Sequence, residues 1–222
     1  MPQPVPCPVC LAPGASLFWR DTTGASPQPG ARHYWRCSVC EATFLAPSLR
    51  LDAAAEQAYY RLHHNGPDDP GYRRYVARLA DPLLARLAPA RDGLDYGCGP
   101  GPALAALLQE AGHRVALYDP LFRADAALLL RRYDFVTCSE VAEHFHDPAA
   151  EFTRLAGLLQ PGGVLAVMTR WLADGVDFAR WHYRRDPTHV VFYRPATLRY
   201  LAQRHGWRCE LPAPDVALFS AG

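Results

Sequence analysis

Four cysteines near the start of the sequence have a spacing that is typical of metal sites. They form two C-x-x-C pairs, Cys7 with Cys10 and Cys37 with Cys40. Each pair can present two thiolates from one tight turn, and four thiolates complete the tetrahedral coordination of Zn²⁺ without a position for water. The pairs therefore predict a structural zinc ion. A dithiol redox centre would follow a strand of a thioredoxin-like unit, which this sequence lacks; surface thiols without a ligand are the remaining alternative.

The 26 residues between the two cysteine pairs have the pattern of a β-hairpin. Leu17–Arg20 and His33–Arg36 are short segments with aromatic residues, and the residues between them are rich in Gly, Pro, Ser and Thr. We predict a zinc ribbon over residues 1–45, in which His33 is not needed as a ligand. Because so short a segment buries little apolar surface, metal binding would supply its folding free energy.

A glycine-rich loop in the middle of the chain indicates nucleotide chemistry. Residues 95–101 read DYGCGPG, after a short apolar strand and before a helical run over 102–111. Glycines let the backbone approach a ligand closely, and the helix N-terminus directs amide N–H groups at it. A dinucleotide fingerprint needs a further glycine at the position of Pro102. Together with the acid two residues before Gly97, this favours S-adenosylmethionine over NAD.

A second strand, predicted over His113–Asp119, ends in a carboxylate 22 residues after Gly97. An acid at the end of this strand can accept hydrogen bonds from the ribose hydroxyls of a nucleoside. The loop and the acid together predict a cofactor site at the carboxyl ends of two neighbouring strands. The residues that we expect to contact the cofactor are Asp95, Tyr96, Gly97, Cys98, Gly99, Gly101, Asp119, Pro120, Ser139 and Glu140.

Strands and helices alternate along the rest of the chain. Two helical segments, Leu51–Leu62 and Tyr72–Leu87, come first, and apolar strands then alternate with helices up to a final strand pair. This order predicts an α/β fold with a doubly wound, mostly parallel, Rossmann-like sheet and a reversed pair at its end. We expect three parts: the ribbon at 1–45, a helical linker or lid at 46–90, and the sheet domain at 91–222.

Four motifs carry a resemblance to a known family. They are DYGCGPG at 95–101, Asp119, EVAEH at 140–144 and LQPGG at 159–163. In this order they resemble the class I S-adenosylmethionine-dependent methyltransferases over roughly the last three-fifths of the chain. The sequence looks most similar to the branch of ubiquinone-type O-methyltransferases, which share Glu-x-x-Glu-His and a later Thr-His followed by Phe and Pro, here within 188–195. The resemblance implies that the glycine loop holds the methionine part of the cofactor and Asp119 its ribose.

The chain departs from that family where adenine would bind. Only 14 residues separate Asp119 from Asp134, which is too short for the helix and third strand that usually carry an adenine-contacting acid. We therefore expect Leu121 or Phe122 to provide an apolar face for adenine, or Asp125 to accept a hydrogen bond from it.

Three histidines are candidates for taking the proton of a methyl acceptor. Methyl transfer is an in-line displacement, so the protein mainly positions the acceptor and removes or tolerates its proton. His144 lies in the EVAEH motif, while His182 and His189 lie in a cluster after the last parallel strand. All 23 basic residues are Arg, so no lysine can serve as the base. Each histidine also has a structural interpretation, since His144 can be a packing contact and the other two can pair with Asp186 and order their loop.

The net charge of +1 conceals a local excess of positive charge. Residues 170–208 contain eight Arg against three Asp, an excess of +5. Arg180, Arg184 and Arg185 are the candidates for holding an anionic acceptor, and a solvated arginine surface explains the same pattern.

These features together predict a methyltransferase that uses S-adenosylmethionine and acts on a small-molecule acceptor. The alternative is an RNA or protein methyltransferase in which the ribbon and the arginine-rich segment hold the macromolecule. A binding module that has lost catalysis is disfavoured, because Asp95, the glycines, Asp119 and His144 are all present. The first residues have no signal-peptide pattern, and no apolar run reaches the ~18 residues of a membrane span. We therefore expect a cytoplasmic protein without membrane contact.

Overall fold

The computed structural model describes residues 5–21, 32–61 and 66–221. These residues form ten strands and five α-helices, numbered here in chain order. The strands are β1 (Ser16–Arg20), β2 (His33–Arg36), β3 (Thr43–Leu45), β4 (Asp92–Tyr96), β5 (Arg114–Tyr118), β6 (Tyr133–Ser139), β7 (Leu159–Met168), β8 (Val191–Phe192), β9 (Trp207–Ala213) and β10 (Val216–Ala221). The helices are α1 (Ala53–Tyr60), α2 (Pro70–Leu84), α3 (Ala103–Glu110), α4 (Pro148–Gly157) and α5 (Pro195–His205).

The larger of two sheets has the strand order β5-β4-β6-β7-β10-β9. The first four strands in this order are parallel to one another, whereas β10 is antiparallel to both β7 and β9. Phe135 of β6 belongs to the core cluster of α2 and α3, and the next residue, Val136, belongs to the cluster of α4 and α5. Successive residues of a strand point to opposite faces, so helices cover both sides of the sheet. The predicted α/β fold class, with its reversed strand pair, is confirmed.

Helix α2 lies in the segment that the sequence marks as a linker or lid, and it packs into the core of the sheet domain. Val76, Leu79 and Leu83 share one face of the helix and are fully buried. They belong to the same apolar cluster as Leu104 and Leu108 of α3. Helix α2 therefore contributes to the layer that supports the glycine loop.

Aspartate caps set where the first two helices begin. The Asp52 carboxylate accepts the Ala55 N–H at 2.9 Å, and the Asp69 carboxylate accepts the Gly71 N–H at 2.7 Å. These caps explain why α1 starts two residues later and α2 two residues earlier than the apolar spacing predicts. Residues 62–65, which belong to the expected linker or lid, lie outside the described residues. No helix in the described ranges is long and apolar enough to cross a bilayer.

The smaller sheet has the antiparallel order β1-β2-β3-β8. Its first two strands are the predicted hairpin, with a bulge between Leu17 and Trp19; the connecting residues 22–31 lie outside the described ranges. Its last strand comes from the C-terminal half of the chain, where Val191 pairs with Phe44. The Leu45 N–H also donates to the Val190 carbonyl at 2.8 Å. The cysteine segment is therefore joined to the sheet domain by a shared sheet, which the sequence pattern did not predict.

Candidate active site and cysteine cluster

A cavity of about 880 Å³ opens at the carboxyl ends of β4, β5 and β6. This is the edge at which parallel α/β sheets bind their ligands. Nine of the ten residues predicted to contact a cofactor line it; the exception is Asp95. Asp95 is buried below the cavity, where its carboxylate accepts the Thr137 hydroxyl at 2.8 Å, and burial raises its pKa to about 6. Asp95 therefore links β4 to β6 through this hydrogen bond.

The glycine loop requires its glycines for conformation and for space. Gly97 has φ +80°, and a Cβ added there would lie 2.4 Å from a methyl group of Val141. Gly99 also has a positive φ, of +60°, and its N–H donates to the Asp119 carboxylate at 3.0 Å. Glycine is the residue that adopts this backbone region without a steric cost. The glycine loop therefore lines the cavity with its backbone and leaves space there for a ligand.

Asp119 ties the glycine loop to the turn after β5. Besides the Gly99 N–H, its carboxylate accepts the N–H groups of Leu121 at 2.8 Å and Phe122 at 3.1 Å. Leu121 and Phe122 line the cavity, as expected for residues that would contact adenine. Asp125 does not line it, and its carboxylate accepts the Ala127 N–H at the start of a short 3₁₀ helix.

Two of the three candidate histidines face this cavity. His144 and His189 line it with their ring centroids 4.7 Å apart, whereas His182 is exposed and lies 3.1 Å from the Arg170 guanidinium. His144 Nδ1 donates to the Thr188 carbonyl at 3.2 Å, and His189 Nδ1 donates to the Tyr183 carbonyl at 2.7 Å. Burial lowers the pKa of His189, which favours its neutral form. The local sequence cluster therefore contributes one histidine to the cavity and not two.

Two glutamates of the EVAEH motif complete this end of the cavity. Glu140 lines it with a strained φ of +53°, and burial together with the nearby Glu143 raises its pKa to about 8. Glu143 is fully buried, accepts the Tyr183 hydroxyl, and places Oε1 3.9 Å from Nε2 of both His144 and His189. The sequence analysis did not select Glu143 as a site residue, although the motif that contains it was the available signal.

Tyrosines from several elements enclose the same space. Tyr60 of α1 and Tyr72 and Tyr75 of α2 line it, and the Tyr96 hydroxyl donates to the Glu151 carboxylate at the other side. The sequence analysis selected Tyr96 and included Tyr60 only in a linker or lid; it missed Tyr72 and Tyr75, because their position at the cavity depends on how α2 packs.

The arginines of the segment 170–208 do not line this cavity, although Asp186 and His189 of the same segment do. None of Arg180, Arg184 and Arg185 lines the cavity. Arg184 is buried, lies over the Trp19 ring at 4.2 Å from the centroid, and donates to the Phe178 and Ala179 carbonyls. It fastens the cysteine segment to the sheet domain. The arginine that lines the cavity is Arg154.

The four cysteines come together in two matched turns and are all buried. Leu11 and Glu41, which follow the second cysteine of each pair, have φ of +63° and +61°, and each donates its N–H to the carbonyl of the first cysteine. The Sγ atoms of Cys7 and Cys40 are 3.6 Å apart, and those of Cys10 and Cys37 are 3.4 Å apart. These separations are far longer than the ~2.05 Å of a disulfide and near the ~3.8 Å edge of a tetrahedron with ~2.3 Å Zn–S bonds. The donor set fits zinc.

A family model described as a methyltransferase domain matches residues 71–211. The match spans more than half of the chain, so the chain belongs to this family of methyltransferases. The expected resemblance to class I S-adenosylmethionine-dependent methyltransferases is thereby confirmed. Helix α2 lies within the matched range except for its first residue, in agreement with its place in the core.

Among curated proteins, the chain is 36% identical over 125 residues to the ubiquinone biosynthesis O-methyltransferase of Serratia proteamaculans, and the match covers 52% of each chain. The corresponding protein of Citrobacter koseri is 33% identical over the same length. The chain thus matches about half the length of these curated relatives.

Solved structures share the fold at low sequence identity. A 1,6-didemethyltoxoflavin-N1-methyltransferase from Burkholderia thailandensis is 20% identical, with a TM-score of 0.51 over 93% of this chain and 97% of that one. A SAM-dependent methyltransferase from Archaeoglobus fulgidus is 18% identical, with a TM-score of 0.53 over 67% of this chain and 94% of that one. At these identities the likeness concerns the fold.

Proposed function

We propose that this chain transfers a methyl group from S-adenosylmethionine to a small-molecule acceptor, and that its four clustered cysteines hold a structural zinc ion. The observation that carries the first part is a single cavity with a nucleoside-type cradle at one end and ionisable groups at the other. Membership of the methyltransferase family supports the reaction class.

The cofactor would lie along the glycine loop. The Gly97 to Gly101 backbone provides close approach to the amino acid part, and Asp119, which accepts three N–H groups, retains one acceptor lone pair for a ribose hydroxyl. Leu121 and Phe122 offer the apolar surface that an adenine ring needs. When bound, S-adenosylmethionine supplies a methyl carbon that the sulfonium already activates.

The acceptor would occupy the other end, between the tyrosines and the EVAEH motif. A volume of about 880 Å³ is within the ~300–1,000 Å³ that is usual for small-molecule sites, and tyrosines enclose it. His144, His189 and Glu140 line this part and can orient an acceptor or take its proton.

The zinc ion would have a structural role. Four thiolates occupy all four tetrahedral positions, so none is left for substrate or water. Cys7, Cys10, Cys37 and Cys40 would hold it, and the ion would stabilise a small sheet whose own core is limited.

Calorimetry with S-adenosylhomocysteine tests the first part of the proposal. We expect one site per chain, and absence of binding at high concentration would remove the enzyme proposal. Metal analysis of freshly purified protein tests the second part, with one zinc per chain expected. An RNA substrate would instead show as RNA binding whose affinity falls steeply as the salt concentration is raised.

A further inference from the structure

The chain after β5 leads directly to the next strand of the parallel sheet. Residues 119–132, which are all described, contain a short 3₁₀ helix at Ala126–Leu130 and no further strand, so β5 is an edge of the larger sheet. The acid that a third strand would carry for adenine is therefore missing from this segment. Asp125, the alternative acceptor, caps the short helix outside the cavity. Another element would have to contact the polar edge of adenine.

Two tyrosine rings connect Asp119 to a carboxylate of helix α4. Tyr118 directly precedes Asp119, its ring centroid lies 5.3 Å from that of Tyr96, and both tyrosines line the cavity. The Tyr96 hydroxyl donates to Glu151 Oε2, and Glu151 lines the cavity as well. A nucleoside with its ribose at Asp119 would therefore meet the tyrosine rings first and the carboxylate next. This is the order of sugar, ring and amino group in adenosine.

Helix α4 also places a guanidinium beside this carboxylate. Arg154 lines the cavity, and its Nε lies 3.6 Å from Glu151 Oε1. We propose that Glu151 accepts a hydrogen bond from the N6 amino group of adenine and that Arg154 donates to the ring nitrogen next to it. The inference rests on the cofactor site proposed above and concerns which nucleoside that site selects.

The hydrogen bonds inside this group leave Glu151 able to accept another. Burial and the neighbouring carboxylate raise the pKa of Tyr96, so its hydroxyl keeps the proton and remains the donor. A carboxylate has about four lone-pair positions, and the tyrosine hydroxyl occupies one of them. The side chains of Glu151 and Arg154 are 24% and 48% exposed, so a ligand can reach both.

Adenine matches a carboxylate that lies beside a guanidinium. Its N6 amino group is a donor, and the adjacent ring nitrogen is an acceptor. Hypoxanthine and guanine carry a carbonyl oxygen at the position of N6, and that oxygen would face the negative oxygens of Glu151. The pair should therefore select adenosine compounds over inosine or guanosine compounds.

Two other carboxylates that line the cavity near α4 already have partners. Glu56 lies 2.7 Å from the ring of His146, and Asp147 accepts a backbone N–H of the first turn of α4 at 3.1 Å. Neither is bonded to the tyrosine pair. Glu151 is therefore the carboxylate that the structure places next to the expected adenine position.

Calorimetry with S-adenosylhomocysteine and with S-inosylhomocysteine, in which oxygen replaces N6, tests the inference in the full chain. We expect the wild-type protein to bind the adenine compound ~10–100-fold more tightly, because the oxygen of the other compound would face a carboxylate without a hydrogen bond. This comparison does not depend on any variant folding. Equal affinities for the two compounds would overturn the inference.

Glu151→Gln distinguishes this side chain from a backbone carbonyl as the acceptor of N6. An amide can turn its NH₂ group toward the inosine oxygen, so we expect the preference for the adenine compound to fall below ~3-fold. Glu56→Gln is the matched control, because it is the same substitution in the same cavity, and it should keep the wild-type preference. A full preference in Glu151→Gln, or an equal loss of preference in Glu56→Gln, would overturn the inference.

The same titrations separate this inference from the function proposed above. Binding of both compounds with equal affinity would refute the adenine contact and leave the cofactor site in place. Binding of neither compound would refute the cofactor site itself, and the adenine contact with it.

Discussion

The cysteine cluster and the Glu143, His144 and His189 cluster both bring side chains of metal-ligating types together, yet they are built differently. The cysteine cluster takes four soft donors from two matched turns, all of them buried. The second cluster takes three harder donors from two distant segments, and two of them face a cavity. Closed tetrahedral sites stabilise structure, whereas sites with an open position do chemistry. The two clusters therefore differ mainly in whether their side chains are closed off from the cavity or line it, and less in the number of possible ligands.

The two regions are nonetheless connected through one residue. The Val190 carbonyl accepts the Leu45 N–H of the small sheet, and the Val190 N–H donates to the Glu143 carbonyl, each at 2.8 Å. His189 is the preceding residue. A substitution in one region can therefore affect the other. The experiments below change residues in each region and measure metal content, stability and cofactor affinity.

The largest expected effect comes from the closed cluster. In a Cys10→Ser, Cys37→Ser variant, each pair loses one thiolate, so we expect loss of zinc and a fall in the free energy of unfolding of roughly 5 kcal/mol or more. Metal analysis and thermal unfolding by circular dichroism measure this. Cys209→Ser, outside the cluster, should keep both its zinc and its melting temperature. Full stability without zinc would show that the cluster is not structural.

A smaller effect is expected where the small sheet meets the sheet domain. Arg184→Ala removes a buried guanidinium that contacts Trp19 and two carbonyls, so we expect a loss of about 3 kcal/mol of stability with zinc retained. Arg185→Ala, at an exposed neighbouring position, is the control and should stay within ~0.5 kcal/mol of wild type. Chemical denaturation of both variants, with zinc measured alongside, checks this. Equal losses of stability in the two variants would mean that Arg184 does not stabilise the contact between the small sheet and the sheet domain.

Acidification should have opposite effects on the stability of the small sheet and on that of the sheet domain. If the cysteines hold zinc as proposed, protons compete with the ion for the thiolates, so we expect the small sheet to lose stability as pH falls. Asp95 has its folded-state pKa raised from 3.8 to about 6, so its contribution is full below pH ~4 and is lost as pH rises through 6. We expect Asp95→Asn to remove a pH-dependent stability difference of about 2 kcal/mol between pH 4 and 7, measured by denaturation at each pH. An unchanged pH profile in this variant would show that the buried acid is not the cause.

The smallest predicted change concerns cofactor affinity. Asp119→Asn keeps the shape of the side chain but removes its charge and half of its acceptor capacity, so binding of S-adenosylhomocysteine should weaken ~10–100-fold. Asp125→Asn is the matched control, because Asp125 caps a short helix outside the cavity. Calorimetry should find wild-type affinity in the control. Equal affinities in all three proteins would exclude Asp119 from the cofactor site.

Short-range patterns carried most of what the sequence could predict. The cysteine pairs, the glycine loop and the acid 22 residues later are local motifs, and the structure brings each group together where expected. Asp95 is the exception, because its strand position turns the carboxylate toward Thr137 and away from the loop. The domain boundaries at 45 and 90 remain predictions.

Features that depend on contacts between distant segments were out of reach. Strands β3 and β8 have three and two residues, too few to show a periodic pattern; β3 is defined by its pairing with β2 and β8, and β8 by its pairing with β3. Proximity in sequence grouped His182 with His189, but the short 3₁₀ helix at His182–Arg185 leaves His182 exposed. Glu143 became a site residue because the chain after β7 returns to it.

The pairing of Phe44 with Val191 also bears on how the chain folds during synthesis. The ribosome makes β8 about 150 residues after β3, which at ~5–20 residues per second is a delay of roughly 7 to 30 seconds. Throughout that interval β3 presents an open edge, which is a template for unwanted strand pairing. If the cluster binds zinc as proposed above, the ion can join the two cysteine turns as soon as Cys40 has left the ribosome. The metal would then hold the nascent sheet in register until its last strand arrives.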